Sequence, residues 1–195
     1  MAESVQTAAE TVHHVHRDID RILIGREEIA RRVEELAEAI RGDLEPLSRD
    51  AEIVLVPILT GSIIFLADLI RHLPQKLRIH MLAASSYAGR RTKSSGEPIV
   101  GSLPEDLKGK HVLIVDDILD SGTTIRRIRA EVERRRPRSV RACVLLRKDI
   151  ASALSTKCEY IGFEIPNEFV VGYGLDYDGY YRNLPDIGVP KKEAL

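Results

Sequence analysis

The sequence predicts an α/β fold with a mainly parallel sheet, because short apolar runs alternate along the chain with amphipathic helical patterns. The clearest strand signal is the run of four apolar residues at 112–115, which is typical of a strand buried on both faces. A similar run occupies 53–56. Each of these two strands is followed by a helical pattern with apolar residues three and four positions apart.

The chain is predicted to form one domain behind a polar extension. Residues 1–20 lack a core-like apolar stripe, and their three histidines are interpreted as part of a solvated tail rather than a metal site. Residues 21–195 are long enough to bury a substantial core. A first amphipathic helix is expected over 27–41, and Gly42 would end it.

The later elements follow in chain order. The strand at 53–56 leads through the turn Thr60-Gly61-Ser62 into a helix over 63–70. The stretch 84–101 has no apolar periodicity and predicts a lid loop. Further strands are expected at 77–82, 112–115, 139–146, 160–163 and 169–171, with a helix from 125 that ends before Pro137.

Composition bounds the possible partners and location. The net charge of −1 argues against nucleic acid as the main partner. Eight arginines between 126 and 141 are interrupted by glutamates and lack interleaved aromatic residues, so we interpret them as a solvated helix face or an oligomer contact. The absence of a membrane-length apolar run and of a signal-peptide pattern, with two distant cysteines, predicts a cytoplasmic protein with no membrane partner.

Acidic and hydroxyl side chains are concentrated at the end of the central strand. Asp116 and Asp117 follow the apolar run, Asp120 comes next, and residues 121–124 read Ser-Gly-Thr-Thr. Open α/β sheets bind ligands at the carboxyl ends of their strands. Backbone N–H groups at a helix start can hold a phosphate, while carboxylates can hold sugar hydroxyls or a metal. A simple helix cap would need only one such residue.

This segment resembles the phosphoribosyl-pyrophosphate (PRPP) binding motif of type I phosphoribosyltransferases: a hydrophobic strand, two acids, two apolar residues, Asp, then Ser/Thr-Gly-x-Thr. The resemblance implies that family's fold, a central mainly parallel sheet flanked by helices, with a small hood formed by the chain ends and a flexible lid loop. It also implies that Asp116 and Asp117 bind the ribose hydroxyls. The 5′-phosphate would be bound by Ser121, Gly122, Thr123 and Thr124.

The last third of the chain resembles hypoxanthine-guanine phosphoribosyltransferases. Residues 162–177 read GFEIPNEFVVGYGLDY, and the resemblance continues through YRNL at 181–184. With Leu59-Thr60-Gly61-Ser62 and Ser85-Ser86-Tyr87, it covers roughly residues 20–188. It implies purine salvage, in which the 5-phosphoribosyl group passes from PRPP to N9 of hypoxanthine or guanine and pyrophosphate is released.

The resemblance also implies how the purine is bound. Lys148 would donate to the 6-oxo group, since an ammonium offers donors only. Phe169 would stack on the base, and Val170 would present its backbone to position 2. Asp120, the implied catalytic residue, would lie near N7 as general base or proton holder.

The implied contacts to pyrophosphate involve Mg²⁺ as cofactor. Asp176 would act on the pyrophosphate side through the metal, with Asp116 and Asp117 as further metal candidates. Arg182 would contact pyrophosphate directly. No cage of cysteine and histidine is evident in the sequence, which suits a hard cation held mainly by substrate oxygens.

Two further segments are assigned by resemblance. Thr60 and Gly61 would contact pyrophosphate in a turn that has an unusual cis peptide in the family, although many relatives carry lysine where this chain has Thr60. Ser86 and Tyr87 would close over the reacting centre as part of the lid. A homodimer or homotetramer is expected.

Two alternatives remain open from the sequence. Xanthine differs from guanine only at position 2, so a xanthine-preferring transferase is compatible with the same residues. A PRPP-sensing regulator that binds RNA would keep the fold without the chemistry. The presence of Asp120 argues against a pure sensor, because ligand binding alone needs no proton acceptor there.

Overall fold

A computed structural model describes residues 17–47, 51–84, 99–100 and 103–195. Within these ranges the strands are β1 (Ile19–Ile24), β2 (Ile53–Leu59), β3 (Leu77–Ile79), β4 (Leu82–Ala84), β5 (Ile99–Val100), β6 (His111–Leu119), β7 (Ser139–Lys148), β8 (Tyr160–Ile165) and β9 (Ile187–Pro190). The helices are α1 (Arg26–Leu44), α2 (Ile63–Arg71), α3 (Thr123–Glu133) and α4 (Ala151–Leu154), and a 3₁₀ turn spans Lys192–Ala194.

The predicted parallel sheet is confirmed. Its strand order is β5-β4-β2-β6-β7-β8, with β3 also paired to β2. The pairs β2–β6, β6–β7 and β7–β8 are parallel, and the β4–β5 pair is antiparallel. Because β6 lies in the middle of this sheet, its carboxyl end opens between the ends of β2 and β7.

Helices cover both faces of the sheet, as the apolar run in β6 predicts. Alternate residues of a strand point to opposite faces. Leu113 and Val115 therefore join the core beneath α1 and α2, whereas Val112 and Ile114 join the core beneath α3. The predicted stripe on α3 is also confirmed, since Ile125, Ile128 and Val132 are all buried there.

The chain ends form the expected hood. Strand β1 pairs antiparallel with β9, so that Ile19 lies opposite Pro190 and Ile24 opposite Ile187. Strand β1 begins two residues before the start assigned to the domain from sequence, because Ile19 packs with Val171 and Leu184 in a small core of its own. The hood is thereby connected to the segment that follows β8.

Several predicted boundaries are wrong, and tertiary contacts explain them. Helix α1 continues through Gly42 to Leu44, because Leu44 packs against the main core and offsets the poor helix propensity of glycine. The strand predicted at 77–82 is divided between β3 and β4. No strand forms at 169–171, where Val171 makes only an isolated bridge to Gly188 of the hood. The predicted loop at 84–101 contains β5 at its end.

None of the helices in the described ranges combines the length and the apolar character that crossing a bilayer requires.

The arginine-rich helix α3 is not simply a solvated face. Arg129 is 8% exposed, and its guanidinium donates to Glu159 Oε2 at 2.6 Å and to the Val140 carbonyl at 2.9 Å. Glu159 Oε2 also accepts the Ala142 N–H at 2.7 Å. The prediction of a solvent or oligomer contact is therefore wrong for Arg129, which attaches α3 to β7 and to the residue preceding β8.

Substitution of Arg129 by alanine should lower the free energy of unfolding by about 2 kcal/mol, because the Glu159 carboxylate loses its close ion pair and keeps only Lys157 at 3.7 Å and the Ala142 N–H. Urea unfolding of the variant measures this loss. The matched control is Arg134→Ala on the same helix, whose side chain is 75% exposed and which should change stability by less than about 0.5 kcal/mol. Equal effects of the two substitutions would contradict the assignment.

Candidate active site

Asp116 and Asp117 lie inside strand β6, near its carboxyl end, whereas the sequence predicts that they follow the strand. Asp116 is 6% exposed, and its Oδ1 accepts the Asp117 N–H at 3.1 Å. Asp117 Oδ1 in turn accepts the Ile118 N–H at 3.0 Å. Burial raises the pKa of Asp116 well above the usual carboxyl range, and the neighbouring Asp117 charge raises it further. Burial also raises the pKa of Asp117.

A close approach of three chain segments holds Asp117 in place. A Cβ atom on Gly61 would lie 1.7 Å from Asp117 Oδ2, so only glycine fits between the β2–α2 turn and this carboxylate. A Cβ atom on Gly174, whose φ is +102°, would lie 2.1 Å from the Gly61 carbonyl oxygen. The same turn contains a cis peptide, which lies at Leu59–Thr60, one bond before Thr60–Gly61.

The turn between β6 and α3 has the geometry of an anion-binding loop. Gly122 occupies the N-cap position of α3 with φ +76° and has no side chain with which to cap the helix. The Ser121 and Thr123 hydroxyl oxygens lie 3.1 Å apart, and the Thr123 N–H donates to Ser121 Oγ at 3.4 Å. Hydroxyls and backbone N–H groups are therefore concentrated at the positive end of a helix. Thr124 is exposed in the first turn of the same helix.

An ion pair lies beside this loop. Lys148, at the end of β7, places its Nζ 3.3 Å from Asp120 Oδ1. The lysine side chain is 12% exposed and the aspartate side chain is 56% exposed. The two residues are separated by 28 positions in sequence, and they meet because β6 and β7 are parallel neighbours whose carboxyl ends lie at the same edge.

The segment after β8 completes the edge of the site. Phe169 is 37% exposed and meets the Tyr177 ring edge-on, with centroids 5.8 Å apart, whereas Val170 is buried. Arg182 donates to Asp176 Oδ1 at 2.8 Å and to the Gly174 carbonyl at 2.6 Å. The Arg182 charge also acts on Asp117, whose pKa it lowers against the larger effect of burial.

The residues predicted from sequence therefore fall into two connected groups. Asp116, Asp117, Gly61 and Arg182 form one group together with Gly174, to which the sequence analysis gave no role. Asp120 and Lys148 form the other, next to the loop 121–124. Ser86 and Tyr87 lie outside the described residues. Sequence reasoning gave no role to Tyr177, although an aromatic residue eight positions after Phe169 could have signalled a ring contact.

The carboxylates suit a magnesium ion only in part. Among the described residues, no three His, Cys, Asp or Glu side chains converge as a ready ligand set. Asp176 offers oxygen donors, of which Oδ2 accepts the Gly179 N–H at 2.8 Å. Mg²⁺ is commonly bound by one or two carboxylates together with water and substrate phosphates, and these residues fit that mode.

Two cavities differ in their relevance to this site. One of about 450 Å³ opens beside Phe169 and is otherwise lined mainly by hood residues. The other, of about 90 Å³, lies at the opposite end of the sheet beside His111 and Ser139. The second is too small for a nucleotide and is remote from the acidic residues.

The fold and the site define a phosphoribosyltransferase. They combine a central parallel sheet, an acid pair at the end of its middle strand and a hydroxyl-rich loop at a helix start. Residues 20–178 match the sequence profile of the phosphoribosyl transferase domain. A hypoxanthine-guanine phosphoribosyltransferase of Mycobacterium tuberculosis (strain H37Rv) is 39% identical over 189 residues, which cover 96% of this chain and 94% of that protein. The enzyme of that name from Aquifex aeolicus is 41% identical over 168 residues, covering 86% of this chain and 92% of its own.

Solved structures agree. A hypoxanthine phosphoribosyltransferase from Staphylococcus aureus superposes with a TM-score of 0.81 at 38% identity, covering 92% of this chain and 95% of that one. The chain therefore belongs to the phosphoribosyltransferase family and, within it, to the hypoxanthine-guanine phosphoribosyltransferases.

Replacing Asp116 by asparagine should stabilise the fold at neutral pH. A carboxyl whose pKa is raised by folding holds its proton more tightly in the native state, so wild-type stability falls as the pH rises from about 4 through the native pKa. Asparagine cannot ionise, yet its Oδ1 can still accept the Asp117 N–H.

Urea unfolding between about pH 4 and pH 8 tests this expectation. The free energy of unfolding should decline less with rising pH in the variant than in the wild type. The control is Asp149→Asn, the same change at an exposed position, which should leave the decline intact. A variant that is less stable than wild type at neutral pH would contradict the prediction.

Proposed function

We propose that the protein transfers the 5-phosphoribosyl group from PRPP to N9 of hypoxanthine or guanine and releases pyrophosphate. The pairing of Lys148 with Asp120 at 3.3 Å carries this proposal. One edge of a 6-oxopurine presents the oxo oxygen beside N7. An ammonium donor and a carboxylate acceptor held side by side match that edge when N7 bears a hydrogen.

The same pair disfavours adenine. Its 6-amino group is a donor, and Lys148 has no lone pair with which to accept it. A site built around one buried donor rejects a ligand that cannot satisfy it, because both groups would be left unpaired on desolvation. Phe169, partly exposed beside the 450 Å³ cavity, would supply the stacking surface, and the Val170 backbone would face position 2.

The ribose 5-phosphate would span the two groups of residues. Asp116 and Asp117 would accept hydrogen bonds from the ribose hydroxyls, for which carboxylates are strong acceptors. The phosphate dianion would be repelled by these acids, so it would lie one turn of chain further on. There it would meet the N–H groups of Gly122 and Thr123 and the hydroxyls of Ser121, Thr123 and Thr124.

Proton transfer would fall to Asp120. As the lone pair of N9 forms the new bond to ribose C1, pyrophosphate leaves with the electrons of the broken C–O bond. The proton on N7 would pass to the Asp120 carboxylate, a general-base role. Arg182 and the turn Thr60–Gly61 would contact the departing pyrophosphate. Ser86 and Tyr87 would exclude water from the oxocarbenium-like transition state.

Asp176 would hold Mg²⁺ together with substrate oxygens, and Asp116 and Asp117 are further candidate ligands. The chemistry supplied at this position is charge neutralisation and orientation of the leaving pyrophosphate.

Three narrower parts of the proposal concern substrate range, location and assembly. A relative from Tritrichomonas foetus, 36% identical over 179 residues, is named hypoxanthine-guanine-xanthine phosphoribosyltransferase, so xanthine belongs in any substrate panel. A cytoplasmic location and a homodimer or homotetramer are also proposed. Free Cys143 and Cys158 are compatible with the former, and light scattering of the purified protein would measure the latter.

Steady-state pyrophosphate release with PRPP and Mg²⁺ tests the function. Hypoxanthine and guanine should support turnover, and adenine should not. Asp120→Asn should lower kcat by about 100-fold while the KM for PRPP changes less than about threefold, because a general base acts on the chemical step.

The control is Asp149→Asn, one residue beyond Lys148 and exposed, which should retain wild-type rates. Silence on every purine with PRPP still bound would overturn the transferase proposal and favour a PRPP-sensing regulator. RNA retardation that weakens with added salt would then support that second class.

A further inference from the structure

The loop proposed to hold the 5′-phosphate contains no basic side chain. Residues 120–124 are Asp, Ser, Gly, Thr and Thr. Three acidic groups, Asp116, Asp117 and Asp120, lie within or just before it, and Lys148 is already paired with Asp120. A phosphate dianion bound there would need compensating positive charge in addition to hydrogen-bond donors.

Arg126, in the first turn of α3, reaches back to this loop. Its Nη2 donates to the Ser121 carbonyl oxygen at 3.1 Å and lies 3.5 Å from Thr123 Oγ1. Its Nη1 donates to Thr156 Oγ1 at 2.5 Å and lies 3.4 Å from the Ser152 carbonyl. The guanidinium therefore joins the loop to the end of α4.

The acceptors around Arg126 are all neutral. Arg129, Arg134 and Arg135 on the same helix each pair with a glutamate. Arg126 differs from them, because its hydrogen bonds to the described residues go only to carbonyl and hydroxyl oxygens. Its positive charge is consequently not neutralised by a carboxylate in this part of the chain.

Thr156 fixes Arg126 from behind. It is 3% exposed, and its hydroxyl donates to the Ser152 carbonyl at 2.8 Å while it accepts from Arg126. A Cβ atom on Gly122 would lie 2.0 Å from Thr156 Oγ1 and 2.7 Å from Arg126 Nη1. The loop thus packs directly on this pair of side chains.

We propose that Arg126, held by Thr156, is a positioning residue for the 5′-phosphate loop and supplies the positive charge that the loop itself lacks. This inference rests on the proposed function. The Ser121 carbonyl oxygen would repel a phosphate. Because the Arg126 guanidinium holds this oxygen, the oxygen cannot turn toward the phosphate, and the loop remains favourable for an anion. The role distinguishes Arg126 from the other arginines of the sequence cluster.

Binding of inosine 5′-monophosphate (IMP) and of inosine, measured by equilibrium titration, isolates the phosphate contribution. In Arg126→Gln the dissociation constant for IMP should rise about tenfold or more, whereas that for inosine should change less than about twofold. Thr156→Val, nearly the same shape without the acceptor, should weaken IMP by a smaller factor in the same selective way. Arg134→Gln, the same charge change at the far end of the helix, should leave both constants unchanged.

The selectivity between nucleotide and nucleoside separates the outcomes. Equal loss of both ligands in Arg126→Gln and Thr156→Val, or unchanged IMP binding in both, would overturn the positioning role. If Arg126→Gln does not fold, which its thermal unfolding would reveal, Thr156→Val decides alone. A wild-type protein that binds IMP no better than inosine would instead overturn the proposed phosphate site, and with it the proposed function.

Discussion

The contact of Gly61 with Asp117 is the constraint on which the candidate site depends. Strand β6 carries two adjacent carboxylates to its buried end, and the β2–α2 turn approaches so closely that a single added carbon would lie 1.7 Å from Asp117 Oδ2. Gly174 meets the same turn from the other side, and Arg182 reaches this segment through the Gly174 carbonyl. Three regions distant in sequence are thereby placed around one carboxylate.

Ribose hydroxyls need hydrogen-bond acceptors, whereas a phosphate needs donors, and one short stretch of chain offers both. The acid pair suits hydroxyl donors and keeps a raised pKa because it is buried. A few residues later the backbone turns through Gly122 into α3, and the N–H groups at the helix start replace carboxylates as the polar groups available to a ligand. Parallel pairing of β6 with β7 then adds Lys148 beside Asp120. The sheet thus orders the proposed sugar, phosphate and base contacts along its carboxyl edge.

Much of this arrangement could be predicted from sequence, because buried parallel strands and their loops have strong local patterns. The apolar run before Asp116 predicted the central strand, and the stripe of Ile125, Ile128 and Val132 predicted the helix after it. What local patterns could not reveal depends on pairs far apart in the chain. Arg129 is paired with Glu159, and Arg126 with Thr156, yet both arginines resemble solvated helix residues when only their neighbours are considered. Likewise, Val171 does not form the strand expected there, because it pairs with Gly188 of the hood instead.

The central claim, that the end of β6 binds the ribose hydroxyls, is tested most directly by a double-mutant cycle with a ligand lacking them. Wild-type protein should bind 2′,3′-dideoxyinosine 5′-monophosphate about tenfold more weakly than IMP, because hydrogen bonds to a carboxylate are lost. In Asp117→Ala this preference should shrink, since one of the two proposed acceptors is absent while Asp116 remains. An undiminished preference for IMP in the variant would contradict the account.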